Sequence, residues 1–275
     1  MNSNESVLIV GGLGSVGTSI VKNLVGHKVI TILETREKIK MFKSENREIF
    51  NYFIDSKIEF IILEDEKFLK LDKEEYKLVD PIIVNIIFAI RFREDNYFEK
   101  TFMIDNELQN LSIGFTKVVL PLLKIIKSAQ FNSEKDFDRK IIVISSSNSS
   151  SISHQPLSYH ALNAVNASIS KYLSVSLQKI NVKVFLIELG VIDLLGNNEE
   201  TLQSALRISP PVSGSELADL IKYLLSVSGY GLIGNPILLT GGRNLLDSTS
   251  VAENVFGDLT VRKNLTNKQR DTGDL

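Results

Sequence analysis

The chain has 275 residues, of which 43% are hydrophobic and 23% are charged, a composition that excludes a disordered protein. It has no cysteine and only three histidines, without metal-ligand spacing, so we expect no disulfide, no cysteine nucleophile and no metal site. The net charge of −2 favours neither nucleic acid nor an anionic membrane as a partner. The first residues run into a strand pattern without a basic segment or a cleavage signal, so we expect no leader, and the longest apolar run, 82–90, is too short to span a bilayer. We therefore predict a cytoplasmic protein.

Strand and helix patterns alternate along the chain. Apolar runs predict strands at 6–12, 28–34, 57–63, 81–90, 139–147, 181–189 and 235–242. Helical patterns lie at 18–25, 35–54, 66–77, 105–129, 157–178 and 215–227. This alternation implies right-handed crossovers and a parallel sheet. The sequence therefore predicts an α/β fold, a Rossmann-type doubly wound parallel sheet in a single domain over 1–261, followed by a polar tail over 262–275.

A glycine-rich loop, "VGGLGSVG" (10–17), connects the first predicted strand to the first helix. Such a loop turns sharply and presents backbone N–H groups at a helix N-terminus, where a pyrophosphate binds. We predict a dinucleotide site; the alternative is a tight turn without a ligand. The loop residues expected to bind are Gly11, Gly14, Ser15, Val16 and Gly17.

The second strand ends in Glu34, seventeen residues after Gly17, where a carboxylate would receive the adenosine ribose hydroxyls. That carboxylate would repel a 2′-phosphate, whereas Arg36 would accept one. We favour NAD as the cofactor and keep NADP as possible. The alternative is that both charges are simply the solvated start of the next helix.

Serines and a tyrosine follow the fifth predicted strand. The stretch "SSSNSSSIS" (145–153) leaves the carboxyl end of that strand, where parallel sheets bind ligands. Ser146 lies thirteen residues before Tyr159 of "LSYHALNA". With the glycine motif, these residues make the chain resemble the short-chain dehydrogenases/reductases over residues 6–245. The glycine spacing is similar to that of extended members of the family, and the chain length to that of shorter members.

The resemblance implies hydride transfer with a nicotinamide cofactor, in which Ser146 and Tyr159 contact the substrate carbonyl and Tyr159 is the general acid or base. The family places a lysine four residues after this tyrosine, where the ammonium supports the phenolate and binds the nicotinamide ribose. Here that position is Asn163, which can bind a ribose hydroxyl but carries no charge. A lost stabilisation of about 3 kcal/mol leaves roughly a hundredfold less phenolate.

Other family positions match only in part. The strand-four motif reads "NIIF" (85–88), in which only Asn85 corresponds, and the segment after strand six reads "LGVIDL" (189–194). There Gly190 and Ile192 fit as cofactor contacts, but Leu194 replaces a threonine. The family's helix asparagine has three possible counterparts, depending on the register: Asn106, Glu107 and Asn110.

The helix that begins near Tyr159 has a polar and an apolar side. We expect Tyr159, Asn163 and Asn166 to face the cofactor, and Leu162, Val165 and Ile169 to face the interior. Apolar residues also surround much of the helix 105–129. Since related proteins pair through these two helices, we predict a homodimer or homotetramer.

The sequence therefore favours an NAD(P)-dependent oxidoreductase acting on a small ketone or alcohol. One alternative is a catalytically silent nucleotide-binding protein that serves as a scaffold or sensor, and another is a non-redox enzyme acting on a sugar nucleotide. A serine hydrolase would need Gly-x-Ser-x-Gly, which the sequence lacks. His160 points away from Asn163 on the helix, so His154, in the serine loop, is better placed to touch a substrate. The substrate pocket is expected to come from residues 193–214.

Overall fold

The computed structural model describes residues 6–64, 67–72, 75–79, 85–90, 104–128, 138–147, 157–190, 192–193 and 212–241. The predicted tail, His154 and most of the segment 193–214 lie outside the described residues. The described residues form one α/β unit, which confirms the predicted Rossmann-type fold.

A nine-stranded sheet forms the centre of the described part, in the order β11-β8-β7-β6-β1-β2-β3-β4-β5. Neighbouring strands from β11 to β3 are parallel, whereas β4 pairs antiparallel with both β3 and β5. The short strands β9 and β10 pair separately with each other. The strand bounds are β1 Ser6–Val10, β2 Val29–Leu33, β3 Glu59–Glu64, β4 Lys67–Asp72, β5 Glu75–Val79, β6 Asn85–Phe88, β7 Arg139–Ser146, β8 Val182–Leu189, β9 Ile192–Asp193, β10 Val212–Ser213 and β11 Pro236–Leu239.

Helices cover both faces of the sheet. Their bounds are α1 Ser15–Leu24, α2 Arg36–Glu45, α3 Arg47–Asp55, α4 Ile104–Gly114, α5 Leu120–Ser128, α6 Leu157–Ser176 and α7 Gly214–Ser226. Helices α1, α2, α3 and α7 bury apolar side chains in one core cluster, which we call core A. Helices α5 and α6 contribute to the cluster on the opposite face, core B. Alternate residues of the central strands belong to the two clusters, as expected for strands buried on both sides.

The predicted helix at 66–77 was wrong, because the described residues of this range, 67–72 and 75–77, lie in strands β4 and β5. The pattern has a period of two: Phe68 packs in core B, whereas Leu69 and Leu71 pack against core A. Side chains that alternate between two cores fit a strand and not a helix. The resulting hairpin extends the sheet beyond β3.

Helices α4 and α5 are joined by a π-helical turn over Phe115–Val119, in which the N–H of Leu120 donates to the carbonyl of Phe115. Pro121 follows and has no N–H, so the wider turn accommodates the break in hydrogen bonding. The combined helix is long and apolar enough, by length and composition, to cross a membrane. It nevertheless buries Val118, Leu122 and Ile125 in core B, as a core helix does.

Candidate functional site

Two glycines of the loop between β1 and α1 are required by backbone geometry. Gly11 has φ +81° and donates its N–H to the carbonyl of Leu33 at 3.2 Å. A Cβ at Gly11 would lie 2.9 Å from Ile90, and a Cβ at Gly17 would lie only 2.1 Å from the carbonyl oxygen of Gly11. The loop therefore turns sharply and α1 approaches it closely, as a dinucleotide-binding turn does.

The third glycine, Gly14, begins α1 and has a different role. A Cβ there would meet only the Gly11 carbonyl oxygen, at 3.3 Å. No side chain caps this helix N-terminus, whereas Thr35 caps α2 and Ser213 caps α7. The first N–H groups of α1, at Ser15, Val16 and Gly17, are therefore left for an anionic group in front of the helix.

Glu34 lies directly beside this loop. Its Oε1 accepts the N–H of Leu13 at 3.1 Å. Burial raises the pKa of this carboxyl above its ordinary value, against the opposing effects of the Leu13 hydrogen bond and the positive charge of Lys38. Arg36 forms two hydrogen bonds with Glu64, at 2.9 and 2.7 Å. The carboxylate thus faces the loop, while the nearby guanidinium is engaged elsewhere.

Ser146 and Gly190 come together at the carboxyl edge of the sheet. Ser146 ends β7 opposite Leu189 of β8, and Gly190 follows directly. The N–H of Gly190 donates to Leu239 at 3.0 Å, and a Cβ at Gly190 would lie 2.9 Å from the backbone of Thr240. Close contact between β8 and β11 therefore requires this glycine. Ile192 is half-buried and packs against core A.

The expectation for Asn85 needs correction. Asn85 begins β6 and pairs with Val7 and Lys140, near the amino-terminal edge of the sheet. The carboxyl end of this strand, which contacts the glycine loop, is formed instead by Ala89 and Ile90. The end of this strand that lies beside the glycine loop, at Ala89 and Ile90, comes four to five residues after Asn85, so Asn85 is not at the cofactor edge.

The orientation predicted for α6 is also corrected. Asn163 and Asn166 are buried together with Leu162, whereas Val165 and Ile169 are only half-buried. The polar side of the helix therefore packs on the sheet instead of facing a cleft. This is possible because the strands beneath it also carry polar residues, namely Ser145 and Glu188, which are register neighbours and are both buried.

The Asn163 amide is held by two hydrogen bonds. Its oxygen accepts from the hydroxyl of Ser145 at 3.1 Å, and its nitrogen donates to the carbonyl of Tyr159 at 2.8 Å. Sequence comparison did not indicate Ser145, although its position one residue before Ser146 places it on the opposite face of β7. Asn163 thus ties α6 to β7.

A buried carboxylate fixes the start of α6. Glu107 of α4 accepts the N–H of Ser158 at 2.8 Å. Of the three residues considered for this helix position, Glu107 and Asn110 are buried and Asn106 is exposed. A negative group at a helix N-terminus is favourable. Glu107 therefore positions the turn that carries Tyr159, which is half-buried and meets the His160 ring edge-on with centroids 6.5 Å apart.

Within the described residues, no group of three or more His, Cys, Asp or Glu side chains is arranged to hold a metal ion.

No protein-family model matches the sequence, and no curated protein matches it. Among solved structures, the short-chain dehydrogenase/reductase of Serratia marcescens is 14% identical, with a TM-score of 0.61 over 87% of this chain and 98% of that one. A Pseudomonas aeruginosa short-chain oxidoreductase with an atypical catalytic centre is 15% identical, with a TM-score of 0.61 over 86% and 96%. A blue fluorescent protein from a metagenomic library, solved with NADPH, is 16% identical, with a TM-score of 0.62 over 88% and 99%. The chain therefore has the fold of the short-chain dehydrogenases/reductases.

Proposed function

We propose that this protein is a divergent short-chain dehydrogenase/reductase that binds a nicotinamide dinucleotide and oxidises or reduces a small alcohol or ketone. The observation that carries the proposal is the uncapped N-terminus of α1, which follows a tight turn. Side chains at Gly11 and Gly17 would clash in this turn, so both positions require glycine. Such a cradle fits a pyrophosphate, because its N–H groups and the helix dipole favour negative charge.

The remaining site residues fit the same chemistry. A bound nicotinamide would supply or accept the hydride. Tyr159 would exchange a proton with the substrate oxygen, and Ser146 would hold that oxygen by a hydrogen bond. Support comes from the packing of α6 on β7, where Asn163, one turn after Tyr159, bonds to Ser145, the residue before Ser146.

The preferred cofactor follows from Glu34. A carboxylate at the end of β2 accepts hydrogen bonds from ribose hydroxyls and repels a 2′-phosphate. Arg36, the nearest cation in sequence, is paired with Glu64. We therefore propose NAD(H) as the cofactor bound more tightly at neutral pH, and NADP(H) as bound more weakly, although two structural neighbours were solved with NADPH.

A second function is favoured by Asn163. The oxygen and the nitrogen of its side-chain amide both form hydrogen bonds within the protein, and the residue places no positive charge near Tyr159. A protein that binds the dinucleotide without turning over a substrate would need no such cation. The second candidate is therefore a nucleotide-binding protein that acts as a scaffold or sensor.

The experiment is calorimetric titration of the purified protein with NADH and NADPH, followed by native mass spectrometry for a co-purified ligand. Gly14→Asp places a carboxylate in front of the uncapped helix and should abolish binding. Lack of binding of either nucleotide at millimolar concentration contradicts the cofactor proposal. Binding with no turnover of any ketone or alcohol tested, in wild type and in Asn163→Lys, supports the second candidate.

We further propose that the protein works in the cytoplasm as a homodimer or homotetramer. Apolar side chains remain exposed on the two helices that the sequence indicated for pairing. On α4, the π turn and α5 these are Leu108, Phe115 and Leu123, and on α6 they are Tyr172 and Val175.

A further inference from the structure

A row of polar side chains crosses the sheet at its amino-terminal edge, at the opposite end of the strands from the glycine loop. Asn85 of β6 is the register neighbour of Lys140 of β7, and Lys140 is the neighbour of Lys183 of β8. Residues opposite each other in adjacent strands point to the same face. We call these three residues, with Asp138 and Tyr230, the amino-edge cluster.

The cluster contains more positive than negative charge. Both lysine side chains are only 3% exposed, and both bind the carboxylate of Asp138, with Lys140 Nζ 3.0 Å from one oxygen and Lys183 Nζ contacting the other. Lys183 Nζ also lies 4.8 Å from the centre of the Tyr230 ring. In the part of the chain that the structure describes, Asp138 is the one carboxylate paired with these two lysines. Among the described residues, one of these two buried positive charges is therefore left without a counter-ion of its own, which is costly in a protein interior.

Asn85 adds a second, independent observation. Its side chain is 0% exposed, and among the residues that the structure describes neither its amide nitrogen nor its amide oxygen has a hydrogen-bond partner. Buried amides are nearly always paired, because an unpaired group loses its hydration without compensation. The unpaired amide lies directly beside Lys140. The amide nitrogen of Asn85 and the ammonium group of Lys140 could therefore bind the same ligand.

We propose that the amino-edge cluster binds a small oxyanion, a phosphate or a carboxylate, through Lys140, Lys183 and the amide nitrogen of Asn85. Such a ligand supplies the missing negative charge and the missing acceptor together. The site opens to solvent beside Asp138, whose side chain is 34% exposed while it contacts both lysines. It is separate from the dinucleotide site and does not depend on the proposed function.

The first test introduces a carboxylate side chain at position 85, which takes the place of the negative charge that the ligand would supply. Asn85→Asp keeps the shape of the side chain and places a negative charge beside Lys140. We expect its melting temperature in phosphate-free buffer to exceed that of wild type by about 2–4 °C. The matched control is Asn166→Asp, because Asn166 is also buried with an unpaired amide oxygen but lies on the opposite face of the sheet. Its melting temperature should fall. A fall of similar size in Asn85→Asp overturns the proposal.

The second test adds the ligand. Millimolar inorganic phosphate, compared with chloride at equal ionic strength, should raise the melting temperature of wild type by about 2–4 °C. Lys140→Met and Asn85→Asp should lose this response, whereas Lys171→Met, at an exposed site on α6, should keep it. All three variants retain the glycine loop, so phosphate binding at α1 cannot explain a difference between them.

An acetate titration distinguishes the two sources of the oxyanion. A response to phosphate alone assigns the site to phosphates, and an equal response to acetate assigns it to carboxylates. If wild type responds to neither anion, or if Lys140→Met responds as wild type does, the amino-edge cluster is not an anion site.

Discussion

The hydroxyl of Ser145 donates a hydrogen bond of 3.1 Å to the side-chain oxygen of Asn163, across the interface between β7 and α6. The Asn163 nitrogen donates back to the carbonyl of Tyr159, one turn earlier in the same helix. The position at which the short-chain dehydrogenases/reductases that this sequence resembles carry a lysine is therefore part of the packing of this protein. A substitution at Asn163 should therefore change the stability of the protein and its turnover in different directions.

Asn163→Lys should increase turnover and decrease stability. An ammonium one turn from Tyr159 favours the phenolate, and we expect dehydrogenase activity at neutral pH to rise by up to about a hundredfold. Loss of the Ser145 bond should lower the free energy of unfolding by about 1 kcal/mol. Steady-state kinetics and urea unfolding measure the two effects.

The matched control is Asn163→Met, which has a similar stem but no charge. It should lose the same hydrogen bond without any gain in turnover. Equal activity of the lysine and methionine variants would show that charge at this position does not act on Tyr159.

Tyr159→Phe should reduce the rate of any dehydrogenase reaction by about 10²–10⁴-fold, because it removes the proton donor and keeps the ring. Tyr172→Phe is the control on the same helix, since that side chain is 72% exposed. It should leave the rate unchanged. Unchanged activity in Tyr159→Phe would contradict the proposed role of Tyr159 in proton transfer.

The sequence was sufficient to predict most of the fold. The apolar runs around Leu8, Ile142 and Phe185 predicted strands, and in the structure the side chains of these strands alternate between the two cores. The glycine loop was predictable for a steric reason, because Gly11 and Gly17 occupy positions that a side chain would obstruct. Such constraints are local and are visible in the residue types themselves.

Other features depend on partners that are distant in sequence. Residues 67–72 form a strand because β3 offers an edge and two cores receive Phe68 and Leu69. Asn163 faces inward because Ser145 of another element pairs with it. The error at Asn85 was one of register, since motif comparison along one strand does not fix its alignment with its neighbours.

Sedimentation should show a dimer or tetramer at micromolar concentration. Leu108 is 58% exposed on α4, and burial of such side chains between subunits is the expected source of stability. Leu108→Glu should shift the protein towards monomer. Ile54→Glu, at an exposed apolar site on α3, should not. A monomeric wild type would contradict the predicted assembly.

Two glycine variants should separate folding from cofactor binding. Gly17→Ala forces a Cβ against the Gly11 carbonyl at 2.1 Å, so we expect it to destabilise the fold by several kcal/mol, on the order of an overpacked core. Gly14→Asp meets only a 3.3 Å contact, so it should remain folded while dinucleotide binding is lost. Thermal unfolding and calorimetry distinguish the two results. Normal NADH binding by folded Gly14→Asp would place the pyrophosphate elsewhere.

The stability of the ligand-free protein should depend on pH through Glu34. Burial raises the pKa of this carboxyl above its ordinary value of 4.5. The folded state thus holds the proton more tightly than the unfolded state does, so the contribution of Glu34 to stability is fully present below about pH 4.5 and is lost as the pH rises through the raised pKa. Glu34→Gln should remove this part of the pH dependence in urea unfolding. Glu37→Gln, at an exposed site in the next helix, should retain it.

The same titration should alter the choice of cofactor. Ionised Glu34 accepts ribose hydroxyls and repels a 2′-phosphate, so the ratio of NADH to NADPH affinity should fall as the pH is lowered through the raised pKa. In Glu34→Gln the ratio should be about tenfold lower than in wild type at neutral pH, equivalent to about 1.4 kcal/mol, and should no longer vary with pH. Arg36 contributes little to this ratio while it is paired with Glu64. Calorimetric titrations at several pH values measure the ratio directly. An unchanged ratio in Glu34→Gln would mean that this carboxylate does not face the ribose, and that its hydrogen bond to Leu13 only shapes the loop.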